Sequence, residues 1–81
     1  MFAKLYETAG HGQILVKMDS GDEGPEIRFF FQPENLGVCS VAIGYEDDDE
    51  GWDKAEDAFS NIVDETFSVD LVASTKKNAG L

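Results

Sequence analysis

In the first half of the chain apolar residues recur at every second position, and in the second half the period lengthens to that of a helix. This switch, together with the short connections before it, narrows the possible folds more than any other feature. Phe2 to Thr8 alternates, with Phe2 and Tyr6 on one side and Ala3 and Leu5 on the other. Beyond the turn Ala9-Gly10-His11-Gly12, Gln13 to Asp19 gathers Ile14, Val16 and Met18 on one face. Glu26 to Gln32 sets Ile27, Phe29 and Phe31 against Arg28, Phe30 and Gln32, and Val38 to Tyr45 aligns Cys39, Val41, Ile43 and Tyr45. A period of two marks strands. The connections are too short for parallel crossovers, so the strands are expected to form an antiparallel meander.

From Trp52 onward, Trp52, Ala55, Phe59, Ile62, Val63 and Thr66 fall at helical spacing. Asp53, Glu56, Asp57, Ser60, Asn61 and Asp64 lie opposite them, which predicts one amphipathic helix. Asp53-Lys54-Ala55-Glu56 has the spacing of a capping box, with Asp49 as an alternative start. Phe67, Val69, Leu71 and Ala73 alternate again and suggest a fifth strand. Residues 75–81 read as a flexible tail behind a single domain of residues 1–74. The expected fold is α+β: an antiparallel four- to five-stranded meander with one amphipathic helix packed on one face.

The chain has 81 residues, 42% of them apolar, which suffices for one modest core. No stretch is long and apolar enough to span a bilayer, and Met1-Phe2-Ala3-Lys4 leads into no signal-peptide core, so a cytoplasmic product is expected. The single cysteine, Cys39, rules out an intramolecular disulfide and reads as a small buried hydrophobe. His11, between two glycines, reads as a turn residue. Seventeen acids against six bases give a formal charge of −11. Such a chain repels nucleic acid and anionic membranes and attracts basic protein surfaces or cations.

Phe29-Phe30-Phe31 places aromatic side chains on both faces of its strand. One helix covers one face of a sheet. The other face would then carry Phe30 and Leu15, with Leu5 and Val72. These are either hidden by loops or form an apolar patch for a partner or a second copy.

Residues 46–57 hold eight of the seventeen acids: Glu46, Asp47, Asp48, Asp49, Glu50, Asp53, Glu56 and Asp57. One account is a solvated loop leading into a helix whose positive end favours acids. A second is a calcium loop using Glu46, Asp48, Glu50 and Asp57, with Gly51 at the turn. Against it stand Lys54 at a ligand position and a strand where a helix should precede the loop. A third is mimicry of nucleic acid. Carboxylates at Asp53 and Asp57 would lie about 6 Å apart along a helix, on the order of phosphate spacing in a duplex. Trp52 would then be an anchor if exposed, and core if not. Catalysis by paired carboxylates, the fourth, lacks a companion base, nucleophile or substrate cradle.

In Glu46 to Glu50, and in Asp53, Glu56, Asp57 and Asp64, the chain resembles the small acidic inhibitors that bacteriophages encode, including anti-CRISPR proteins and DNA mimics. That resemblance implies a non-enzymatic protein that blocks a basic nucleic-acid-binding protein or complex at its groove. The site residues implied are Glu46, Asp47, Asp48, Asp49, Glu50, Trp52, Asp53, Glu56, Asp57 and Asp64, with no cofactor, no metal and no direct contact with nucleic acid. The alternative is an assembly protein that dimerises through the sheet face around Leu15 and Phe30.

Overall fold

The computed structural model describes residues 2–80, and Phe2 by its backbone alone, so the expected pairing of the Phe2 side chain with Tyr6 lies outside the described residues. Leu81, the last residue of the expected tail, lies outside them as well. Four strands form: β1 (Phe2–Thr8), β2 (Gly12–Gly21), β3 (Gly24–Phe31) and β4 (Cys39–Gly44). They lie in the order β1-β2-β3-β4 and every neighbouring pair is antiparallel, which is the expected meander. Gly21 and Gly24 are register partners, so Asp22 and Glu23 alone make the β2–β3 turn. Gly24 holds φ +130°, and a Cβ there would stand 2.8 Å from the Tyr45 carbonyl oxygen. Glycine is required on both counts.

Two helices, α1 (Asp49–Ser60) and α2 (Thr66–Asn78), pack against β2 and β3. The core lies between them and the sheet. It joins Ile14, Val16 and Met18 of β2 to Ile27, Phe29 and Phe31 of β3, capped by Ala55 and Phe59 of α1, Val72 of α2, and Ile62. Each large side chain so enclosed contributes about 1.5–3 kcal/mol of transfer free energy. Cys39 of β4 is only half-buried, its thiol directed to the Gly37 carbonyl at 3.6 Å.

The expected fifth strand is instead α2. The alternation of Phe67, Val69, Leu71 and Ala73 misleads, because the buried positions are Ser68 and Val72, one helical turn apart. The cause is the size of the apolar face. A twelve-residue α1 is about 18 Å long and leaves part of β2 and β3 bare. α2 covers that remainder, with the Phe67 ring 5.9 Å from that of Phe29. Val72, expected on the opposite sheet face, is therefore fully buried in the core. The tail expected over 75–81 is helical as far as Asn78.

α1 starts and stops earlier than its apolar spacing predicts. Its N-cap is Asp48, whose Oδ1 accepts the Gly51 N–H at 2.7 Å, so neither Asp53 nor Asp49 caps it. Its last turn contains no basic residue, and β1 supplies one. Lys4 Nζ donates to the carbonyls of Phe59 (2.8 Å) and Ile62 (2.6 Å), and the Tyr6 hydroxyl donates to Ile62 O at 3.1 Å. A cation on the C-terminal carbonyls satisfies the helix end and its dipole. The chain turns there, which removes Val63 and Thr66 from α1 and leaves Val63 exposed.

Candidate functional site

The acidic segment is built against the β2–β3 hairpin. The Tyr45 N–H donates to Pro25 O at 2.9 Å, which carries the β3–β4 pairing one step beyond β4. The bare backbone of Gly24 then lets Tyr45 and Asp47 lie directly on the hairpin. Gly51 performs the same service from the helix side, since a Cβ there would collide with the Glu46 carbonyl. Two glycines therefore fix where residues 45–51 run.

This path divides the five consecutive acids by role. Glu46 and Asp47 occupy the connection before the helix, and Asp48 turns its carboxylate back to the helix start. Asp49 and Glu50 fall in the first turn of α1, where the unpaired N–H groups favour negative charge. Asp53, Glu56 and Asp57 stand exposed farther along the helix. Lys54, the one cation in the segment, meets Glu50 at 3.1 Å, an exposed i,i+4 pair worth a few tenths of a kcal/mol. Because Asp48 caps and Glu50 and Asp57 ride on a helix, the calcium-loop spacing does not become a loop. Among the described residues no group of three or more acids, histidines or cysteines converges to hold a metal ion.

Trp52 is half-buried, neither a core residue nor a bare anchor. Asp64, expected on the same helical stripe, lies in the connection between the helices and accepts the Thr66 N–H at 2.9 Å. Burial raises the Tyr6 hydroxyl above its ordinary 10.0, and the charges of Asp64 and then Glu65 raise it further.

Sequence reasoning missed three acids. Asp22, Glu23 and Glu26 of the hairpin line a cleft of about 650 Å³ opposite Glu46, Asp48 and Glu50. Their only signal was an acidic turn flanked by glycines. Nothing in the sequence showed that this turn comes to rest beside the end of β4.

On the face away from the helices, Leu15 and Phe30 are direct register partners, and Leu5 is the partner of Leu15 across β1. Of the residues expected on this face, Leu5 is exposed, Leu15 and Phe30 are half-buried, and Val72 is not on it. Comparison with protein-family models, with curated proteins and with solved structures found no match to the chain.

Proposed function

We propose that this chain is a non-enzymatic binding protein that docks onto a basic protein surface through α1 and the acidic cleft beside it. The observation that carries this reading is the local imbalance of charge. Eight acids meet one lysine over residues 46–57, and Asp22 and Glu23 add to them across the cleft, where Glu26 is paired with Arg28. A surface with so little compensation attracts a lysine- and arginine-rich groove over a distance of about a Debye length, roughly 8–10 Å at physiological salt. Grooves of that kind serve to hold nucleic acid, so occupation by this chain would inhibit a nucleic-acid-binding protein or complex. The convex helix and the cleft beside it offer a ridge and a recess for such a groove, and charges at their rim would mainly accelerate association.

The test is capture from extract on the immobilised protein, eluted in salt steps, beside the triple variant Asp53→Lys, Glu56→Lys, Asp57→Lys. These side chains are exposed, so the circular dichroism spectrum should not change. The native chain is expected to retain a basic nucleic-acid-handling protein that elutes at moderate salt, and the variant to lose it. Equal capture by a folded variant, eluting at equal salt, would sink the reading.

A further inference from the structure

The sheet face that the helices leave open is organised in transverse rows. Leu5, Leu15 and Phe30 are successive register partners and end on Ser40 of β4. The next row is Ala3, Lys17, Arg28 and Ala42, in the same cross-strand register. On the other side of the apolar row lie Glu7 and Gln13, also partners. Leu5 is 59% exposed, and Val38, 67% exposed, joins the apolar row along a shallow groove of about 610 Å³.

We propose that this face is the interface of a twofold homodimer, two copies stacking their open sheets with the axis along the Leu5–Leu15–Phe30 row. A twofold axis in that position lays each apolar row on its own copy. It also sets Ala3 of one chain over Glu7 of the other and Lys17 over Gln13, so that Lys17 comes within one strand spacing, about 4.8 Å, of the other copy's Glu7. The face therefore supplies one reciprocal pair, Lys17 of each copy with Glu7 of the other, of the kind an isologous interface repeats. It is also where two such acidic chains repel each other weakly. Lys17 and Arg28 stand among Glu7, Asp19 and Glu26 there, with Arg28 already holding Glu26 at 2.8 Å, whereas residues 46–57 set eight acids against one lysine. Ala3, Ser40 and Ala42 are small, so the backbones can approach to the roughly 10 Å of face-packed sheets. With strands about 4.8 Å apart and residues rising about 3.3 Å, the face measures roughly 20 by 25 Å. That is about 1,000 Å² over two copies, the lower bound for a specific interface. The dimer goes beyond the acidic-surface reading and needs no basic partner. Its helix layers face outward, so the exposed acids of both α1 helices would stay accessible, while Glu26 and Ala42 border the acidic cleft from the dimer face.

Sedimentation velocity across micromolar to millimolar protein, at low and high salt, provides the test. A dimer that persists at high salt is expected, because apolar burial does not screen. Phe30→Asp should raise its Kd roughly thirtyfold or more, as should Leu5→Glu at a position already largely in solvent. Lys17→Glu and Glu7→Lys should each weaken the dimer, and the two together should restore it. A chain that stays monomeric throughout would overturn the proposal. So would a dimer indifferent to both Phe30→Asp and Leu5→Glu, which would place the contact at a strand edge or on the acidic side. The readout is mass, so the proposal can fail while the acidic-surface reading stands, or the reverse.

Discussion

The two helices share one face of the sheet but are specified in different ways. α1 is defined largely by chemistry close to it in sequence. Asp48 caps it, Asp49 and Glu50 complement its positive end, Gly51 admits the Glu46 carbonyl, and Ala55 and Phe59 recur one turn apart on the core side. Its C-terminal end depends on distant partners, Lys4 and Tyr6 of β1. α2 has less of this at its start, although Asp64 takes the Thr66 N–H and Lys76 and Lys77 complement its last turn. Its N-cap residue, Glu65, makes no side-chain cap bond, its first turn has no acid, and Ser68 is buried with no partner for its hydroxyl among the described residues. Val72 and the Phe67–Phe29 ring contact hold it to the sheet. A helix of α1's kind has its own propensity to form, whereas α2 forms because the sheet has apolar surface still to cover.

That contrast has consequences for stability. The largest effect is expected from Phe59→Ala, which should cost about 3–5 kcal/mol by emptying the seat of α1. Val72→Ala, under α2, removes a smaller side chain and should cost about 2 kcal/mol, both values read by chemical denaturation. Equal losses would break the distinction. Asp48→Ala should cost about 1 kcal/mol and speed amide exchange in the first turn of α1. Ser68→Ala carries the opposite sign. It removes a buried hydroxyl without a partner and adds helix propensity, so stability should rise by up to about 1 kcal/mol. A loss on Ser68→Ala would mean that α2 has a polar anchor and is specified more like α1.

The same contrast explains what could be read from the sequence. The four strands were legible because Ile14, Val16 and Met18, and Ile27, Phe29 and Phe31, alternate strictly and are buried just as strictly. α1 was legible from its apolar spacing, although its ends were not. Asp48 was one of several acids able to cap, and the stop depends on Lys4, which is remote in sequence. α2 was not legible, because its buried serine reads as polar and its half-exposed Phe67 reads as apolar. Alternation over four short positions does not separate strand from helix when burial is set by a sheet elsewhere. For the candidate site, the run 46–57 was plain as composition. The cleft was not, since Asp22, Glu23 and Glu26 join it only through the register of the hairpin.

The smallest effect tests the second of the two distant anchors at the end of α1. Tyr6 donates to Ile62 O, and its hydroxyl is raised above 10.0 by burial first and by Asp64 and Glu65 second. The folded chain therefore holds the phenolic proton more tightly than the unfolded chain does. The resulting contribution to stability is complete below pH 10 and is lost as pH climbs through the raised value. Native protein should then lose stability across this alkaline window more steeply than Tyr6→Phe, which lacks the titrating group. The loosening should appear as faster amide exchange around residues 59–62 before it appears in α2, which Val72 and Phe67 hold to the sheet. Identical alkaline slopes for the two proteins would mean that Lys4 alone fastens the end of α1. Loosening that began in α2 would mean that the helix with the weaker local start is also the first to respond, and that the contrast between the helices extends to their behaviour under stress.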